Sequence, residues 1–304
     1  GIVVVAMIFL PVMGLGGMQF FRSEGFDTLG KVLPRAPDIA RALLGIYILL
    51  TLTCALIYVI FGMPLFDATV LSMTTISTGG FANSDASFAA FSGPLEYVSA
   101  LFMLLASMPF IRFIQLSRGE SRPLWEDVQV RTYLRWTFYA ISAVVIWRLI
   151  HEGTDFGIVL RETTFNIVTL FSGTGYASAD YMGWGNLLIT LFFFTGLIGG
   201  CAGSTACSVK IFRYQILFAS VGAQMKKTRS PNGVFVPRYE GRKINEDVLN
   251  SVMSFFVFFM VTLGLLSVAL AMTGLDFITS VSGAASALAN IGPGLGEIIG
   301  PAGN

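Results

Sequence analysis

Three short stretches combine small hydroxyls with glycines in the way a chain needs in order to hold a dehydrated cation. They are Thr74–Phe81 (TTISTGGF), Leu170–Tyr176 (LFSGTGY) and Leu288–Gly294 (LANIGPG). Glycine takes backbone conformations that cost other residues about 1–2 kcal/mol. Successive carbonyls can then point one way, and a ring of such carbonyls replaces the water around an ion. The residues placed to do this are Ser77, Thr78, Gly79 and Gly80 in the first stretch. Their counterparts are Gly173, Thr174, Gly175 and Tyr176 in the second, and Asn290, Ile291, Gly292 and Pro293 in the third. The central glycines, read as Gly79, Gly175 and Gly292, stand 96 and 117 positions apart, a divergent repeat. Any one of these stretches alone is equally an ordinary turn or helix cap. Their threefold recurrence, each after a short apolar helix, favours aimed carbonyls.

A second constellation, Gly196–Ser208, crowds Gly196, Gly199, Gly200, Gly203, Ser204, Thr205 and Ser208 into a long apolar stretch, with Lys210 just beyond. Irregular backbone at membrane depth is tolerated only when buried in protein or lining a wet cavity. Two readings stand: a flexible loop that gates a pore, or glycines that let helices pack closely. Enzymatic readings are weaker. The order of Ser204, Thr205 and Lys210 is wrong for a phosphate-binding loop, and no strand precedes them. Ser204, Cys201 and Cys207 have no base at hand, since the one histidine, His151, falls in an outer segment. The three cysteines offer neither a disulfide framework nor metal-ligand spacing.

The elements that must position these stretches belong to a membrane. The chain is 54% hydrophobic and 12% charged, with mean hydropathy +0.73, against about a quarter charged residues in soluble domains. Six spans are expected: Ile2–Phe21, Ala42–Gly62, Leu95–Phe113, Trp136–Ile150, the glycine-broken Trp184–Leu217, and Leu249–Thr273. Between them lie three half-length helices, Leu65–Ile76, Ile158–Phe171 and Asp276–Ala289, each running into one of the three motifs. With no basic n-region or clear cleavage site, Ile2–Phe21 reads as a span and not a signal peptide.

Charge orients the bundle. Of 19 lysines and arginines, 17 lie on the connectors that face away from the motifs, and only Arg148 and Arg161 lie on the motif side. The basic connectors are therefore expected in the cytoplasm and the motifs outside. The outer segments carry Asp67, Asp85, Glu96, Glu152, Asp155, Glu162, Asp180, Asp276 and Glu297, a balance that attracts cations. Net charge is +1, which gives no reason to expect a nucleic-acid partner.

At these motifs the chain resembles the TrkH/KtrB/HKT superfamily of potassium transporters, its bacterial TrkH branch above all. The resemblance covers essentially the whole chain and extends to Lys31-Val32-Leu33-Pro34-Arg35, similar to the family's first cytoplasmic connector. It implies an all-α membrane protein of tandem units, each outer helix, pore helix, filter strand and inner helix, around one central pore. On that pattern residues 1–41 hold the first unit's inner helix and connector, 42–135 the second unit, 136–248 the third with its intramembrane gate loop, and 249–304 part of the fourth. Three of four filters and six spans with three re-entrant pore helices are then expected here, the first filter falling before Gly1 and the last inner helix after Asn304.

The resemblance further implies inward potassium conduction across a bacterial inner membrane, with the ion itself as the bound species and no covalent cofactor. It implies a homodimer with a cytoplasmic nucleotide-binding regulatory subunit. A sodium-permeable member of the same family is the alternative, since the usual determinant lies in the first filter. Two departures stand out: Ala206-Cys207-Ser208-Val209 where the family loop commonly ends in a glycine triplet, and Gly173 where threonine is common.

Overall fold

The computed structural model describes residues 36–301 other than Glu297. The span expected at Ile2–Phe21 and the stretch Lys31–Arg35 lie outside the described residues. In chain order the helices are α1 (Ala36–Ile60), α2 (Leu65–Ile76), α3 (Pro94–Ala106), α4 (Phe110–Ser117), α5 (Arg122–Glu126), α6 (Val128–Glu152) and α7 (Phe156–Ser172). After them come α8 (Asn186–Gly196), α9 (Ile211–Arg229), α10 (Glu246–Ala271) and α11 (Phe277–Ala289). The only strands among the described residues are two-residue pairs. The first, β1 (Ile198–Gly199) with β2 (Val209–Lys210), is parallel; the second, β3 (Arg238–Tyr239) with β4 (Arg242–Lys243), is antiparallel.

Among the described residues, the two uninterrupted apolar helices long enough to cross a bilayer are Arg41–Ile60 of α1 and all of α10. Leu49, Leu52, Leu56 and Ile60 on α1, with Val257, Phe258 and Leu265 on α10, are exposed, as side chains that meet lipid must be. Each half-length helix folds back on the long helix before it: α2 on α1, α7 on α6, and α11 on α10. The interior lies between these hairpins. One cluster centres on Tyr133, Ile167, Phe192 and Ile211, another on Tyr58, Leu71, Phe88 and Tyr176.

Several expectations need revision. The third span, Leu95–Phe113, is not one helix: α3 and α4 meet at 93° across Ser107, Met108 and Pro109. Pro109 has no N–H to continue the ladder, so the chain turns there. The fourth span lies inside the longer α6, whose 25 residues reach about 37 Å. The second short helix, α7, has 17 residues instead of the expected 14 or so, because Asp155 caps it two residues earlier through Gly157 and Ile158 N–H. The fifth stretch is broken at its glycines as expected, into α8, a loop closed by β1 and β2, and α9.

Candidate functional site

Each short helix ends in the same turn. A left-handed residue follows each helix: Gly173 (φ 69°) and Asn290 (φ 54°) directly after α7 and α11, and Thr78 (φ 51°) one residue past the right-handed Ser77 that caps α2. The next N–H reaches back five residues, Gly79 to Thr74 O at 2.7 Å, Thr174 to Thr169 O at 3.0 Å and Ile291 to Ser286 O at 3.1 Å. One residue further the backbone swings to positive φ again, at Gly80 (71°), Gly175 (86°) and Gly292 (109°). The counterpart of Gly175 and Gly292 is therefore Gly80. Gly79, read as the central glycine, corresponds instead to Thr174 and Ile291.

These turns abut one another in a fixed order. A Cβ placed on Gly80 would overlap the carbonyl oxygen of Thr174, and one on Gly175 would overlap that of Ile291. In both contacts the positive-φ glycine of one turn presses on the preceding position's carbonyl in the next turn. All twelve predicted residues, from Ser77 to Pro293, lie in or beside this junction of three turns. Their carbonyls sit at the negative ends of three helices, where a cation is favoured.

A set of supporting hydroxyls was missed in the sequence. Thr74, Thr169 and Ser286 each stand six residues before the positive-φ glycine. Thr74 Oγ1 donates to Phe81 O at 2.9 Å, Thr169 Oγ1 accepts from Tyr176 N–H at 2.8 Å, and Ser286 Oγ donates to Gly292 O at 2.8 Å. Each hydroxyl holds the strand that follows its helix. Aligning the three motifs on Gly80, Gly175 and Gly292 would have revealed them. Tyr176 adds a cross-link, its hydroxyl donating to Leu71 O at 3.1 Å while its ring packs on Phe88.

The glycine-rich loop lies against all three helix ends. A helix leaves its last carbonyls without partners, and here the loop supplies them. Thr205 Oγ1 donates to Ile76 O at 2.8 Å, Cys207 N–H to Ser172 O at 3.4 Å, and Ser208 N–H to Ala289 O at 2.8 Å. Those three acceptors are the final residues of α2, α7 and α11. Thr78 Oγ1 also donates to Thr205 O at 2.7 Å, and Ser208 Oγ to Gly196 O at 2.8 Å.

The break between α3 and α4 holds the loop from another side. Ser107 O accepts from Cys201 N–H at 2.9 Å, Ala106 O accepts from Thr205 N–H at 3.2 Å, and Phe110 N–H donates to Gly203 O at 3.0 Å. Backbones approach so closely that a Cβ on Gly200 would stand 2.8 Å from Ser107 O. Ser204 is buried and donates to Cys201 O at 2.6 Å, so its hydroxyl shapes the loop. Gly199 and Lys210 pair in the strand register that closes the loop. The glycines thus serve backbone contacts within and around a loop, and not the packing of one continuous helix.

On the side expected to face outward, Arg148 and Arg161 are neutralised in place. Arg148 is buried, bonded to Glu152 at 2.9 Å and Glu162 at 3.0 Å, with its guanidinium 3.8 Å from the Trp184 ring centroid. Arg161 pairs with the buried Glu96 at 2.6 Å. Asp155 and Asp276 cap α7 and α11, and Asp67 accepts from Asn83 Nδ2. Asp85 and Asp180 face a shared recess of about 310 Å³ beside Ala177, one residue past Tyr176. Ion pairing therefore uses three of the expected outer acids, and Asp85 and Asp180 remain on the surface.

Comparison with known proteins bears on the whole chain. The family model for TrkH, described as a cation transport protein, matches residues 1–302. The Trk system potassium uptake protein TrkI of Halomonas elongata is 43% identical over 306 residues, covering 100% of this chain and 62% of that protein. The Trk system potassium uptake protein TrkH of Escherichia coli is 32% identical over 305 residues, covering 98% of this chain and 63% of its own length. The crystal structure of the potassium transporter TrkH from Vibrio parahaemolyticus aligns with a TM-score of 0.85 at 29% identity, over 98% of this chain and 62% of that one. The chain thus spans under two thirds of the length of these relatives.

Proposed function

Because the chain belongs to the TrkH family of cation transport proteins, we propose that it forms the conducting part of a potassium uptake transporter. The observation that carries this is the junction of three equivalent turns, glycine against carbonyl, with one loop capping all three helix ends. An ion drawn to the outer carboxylates loses its water among the carbonyls of Ser77–Gly80, Gly173–Tyr176 and Asn290–Pro293. Tandem hairpins of long and short helices around one pore give that arrangement its repeat.

The loop Gly196–Ser208 is the gate in this reading. In the present state its donors occupy the carbonyls of Ile76, Ser172 and Ala289. Withdrawing it breaks at least these three hydrogen bonds, which together cost roughly 1.5–4.5 kcal/mol at a net 0.5–1.5 each. A cation arriving at the three helix ends offsets part of that cost, because the freed carbonyls are acceptors at negative dipole ends. Homologues named as Trk potassium uptake proteins support potassium as the substrate. The resemblance extends the proposal to a multi-pass protein of a bacterial inner membrane, a homodimer, with a nucleotide-binding regulatory subunit on the basic cytoplasmic side.

The test is growth rescue of a potassium-uptake-deficient bacterium by the protein, with rubidium and sodium uptake measured in the same cells. Rescue at low potassium with rubidium uptake well above sodium uptake is expected. Equal uptake of the two ions would favour the sodium-permeable reading, and no uptake of either would overturn conduction.

A further inference from the structure

Gly173 and Cys207, two residues that set this sequence apart, lie against each other in space. A Cβ placed on Gly173 would stand 2.9 Å from the Cys207 Cβ and 3.2 Å from the Cys207 backbone N. The side chain that the second turn lacks is thus supplied from the loop. On its other side the Cys207 Sγ accepts a hydrogen bond from Asn290 Nδ2 at 3.2 Å, across 83 residues of sequence. One thiol therefore bridges the second and third turns from within the glycine-rich loop.

Both ends of this contact have fixed backbones. Cys207 N–H donates to Ser172 O, and a Cβ on Gly199 would overlap the Cys207 carbonyl oxygen, so β1 presses directly on it. Ser208, next in the chain, is left-handed (φ 61°), a conformation that non-glycine residues seldom adopt. Its hydroxyl and its N–H hold it there, on Gly196 O and Ala289 O, both at 2.8 Å. Asn290 is left-handed too (φ 54°), which asparagine tolerates better than most residues. Glycine would serve that backbone equally well, but only asparagine carries the amide that reaches the thiol. Asn290 is exposed and Cys207 half-buried, so the contact is not part of the apolar core.

We propose that Cys207 and Asn290 are positioning residues that latch the glycine-rich loop to the third turn, and that Gly173 is left without a side chain to admit the Cys207 side chain. The inference rests on the reading of Gly196–Ser208 as a gate. The bonds to Ile76, Ser172 and Ala289 seat the loop on the helix ends, and the thiol–amide contact adds a side-chain tie made only in the seated position. Because the tie exists in one state and not the other, it shifts the population toward the seated loop.

The experiment measures rubidium flux into vesicles carrying the full-length protein, and the rate at which a membrane-impermeant thiol reagent labels Cys207. Cys54 and Cys201 are buried, and a Cys207→Ala protein sets the labelling background. Sulfur is a weak acceptor, so losing the tie should change the population of the seated loop by about 2- to 5-fold. Asn290→Gly, which keeps the left-handed backbone and removes the amide, should raise both rates by that factor. Cys207→Ala should raise flux to the same extent, and the double variant should exceed neither single one, because both remove one contact. Cys207→Ser keeps an acceptor, and its flux should lie between those of Cys207→Ala and the parent. Gly173→Ala should raise flux and labelling by crowding the Cys207 Cβ, and should add nothing to the flux of a Cys207→Gly protein.

Additive effects of Asn290→Gly and Cys207→Ala would overturn the latch, as would unchanged flux and labelling in folded single variants. Lower flux with unchanged labelling in Asn290→Gly would place the amide on the ion path and overturn its positioning role. A Gly173→Ala effect that persists in the Cys207→Gly protein would overturn the shared space. A parent protein that takes up no rubidium would contradict the transport reading itself, and the labelling rates would then still decide the latch.

Discussion

At the scale of single residues, the turns assign different tasks to two neighbouring glycines. Gly80 has positive φ and abuts Thr174 O, whereas a Cβ on Gly79 would meet only Ser77 Oγ and the Phe81 ring, at 3.2 Å and beyond. Gly79→Ala should therefore keep selective rubidium uptake within a few-fold of the parent. Gly80→Ala should abolish it in protein that still reaches the membrane. Equal tolerance of both would remove the basis for the register proposed for the three turns. Composition alone could not have distinguished them. Two adjacent glycines look alike in sequence, and only the five-residue hydrogen bond from Gly79 to Thr74 fixes which one carries the left-handed turn.

Among the elements, the loop is the one whose neighbours explain its composition. Small residues were legible as a break in an apolar stretch, because nothing else crowds four glycines into it. What the loop touches was not legible. Its partners are backbone carbonyls of Ala106 and Ser107 at a helix break hidden in an apolar run, and helix ends tens of residues away. Thr205 shows how the contacts divide. Its Oγ1 donates to both Ile76 O and Ala106 O, at 2.8 and 3.0 Å. Thr205→Val keeps the shape and removes the hydroxyl, so it should weaken the loop's hold by about 1 kcal/mol and raise basal rubidium flux severalfold. Thr205→Ser should restore the parent value. A valine variant with lower flux would place the hydroxyl in conduction instead of in restraint.

Over the whole molecule, most of the hydrophobic pattern translated directly: α1, α2, α10 and α11 fall within a few residues of their expected places. Charge asymmetry was legible too, but not its local use. Arg148 and Arg161 form ion pairs with Glu152, Glu162 and Glu96 that fasten α6, α7 and α3 together. The Arg148–Glu152 pair has the i,i+4 spacing that a helix shows in sequence, whereas the pairs with Glu162 and Glu96 are set by packing between helices, which spacing does not report. Arg148 is buried against Trp184 as well, and removing one partner of a buried pair typically costs about 3–5 kcal/mol. Arg148→Met should lower the thermal midpoint of the detergent-solubilised protein while leaving the ratio of rubidium to sodium uptake unchanged in what remains folded. A changed ratio with an unchanged midpoint would move Arg148 from scaffold to ion path.

The central claim is that a cation is held by the backbone carbonyls of the three equivalent turns. Anomalous diffraction from crystals grown in rubidium, compared with crystals grown in sodium alone, tests it most directly. The account predicts rubidium peaks enclosed by the carbonyls of Ser77–Gly80, Gly173–Tyr176 and Asn290–Pro293, lost in a Gly175→Val protein that folds. Rubidium found only at the outer carboxylates, with none among the three turns, would contradict it.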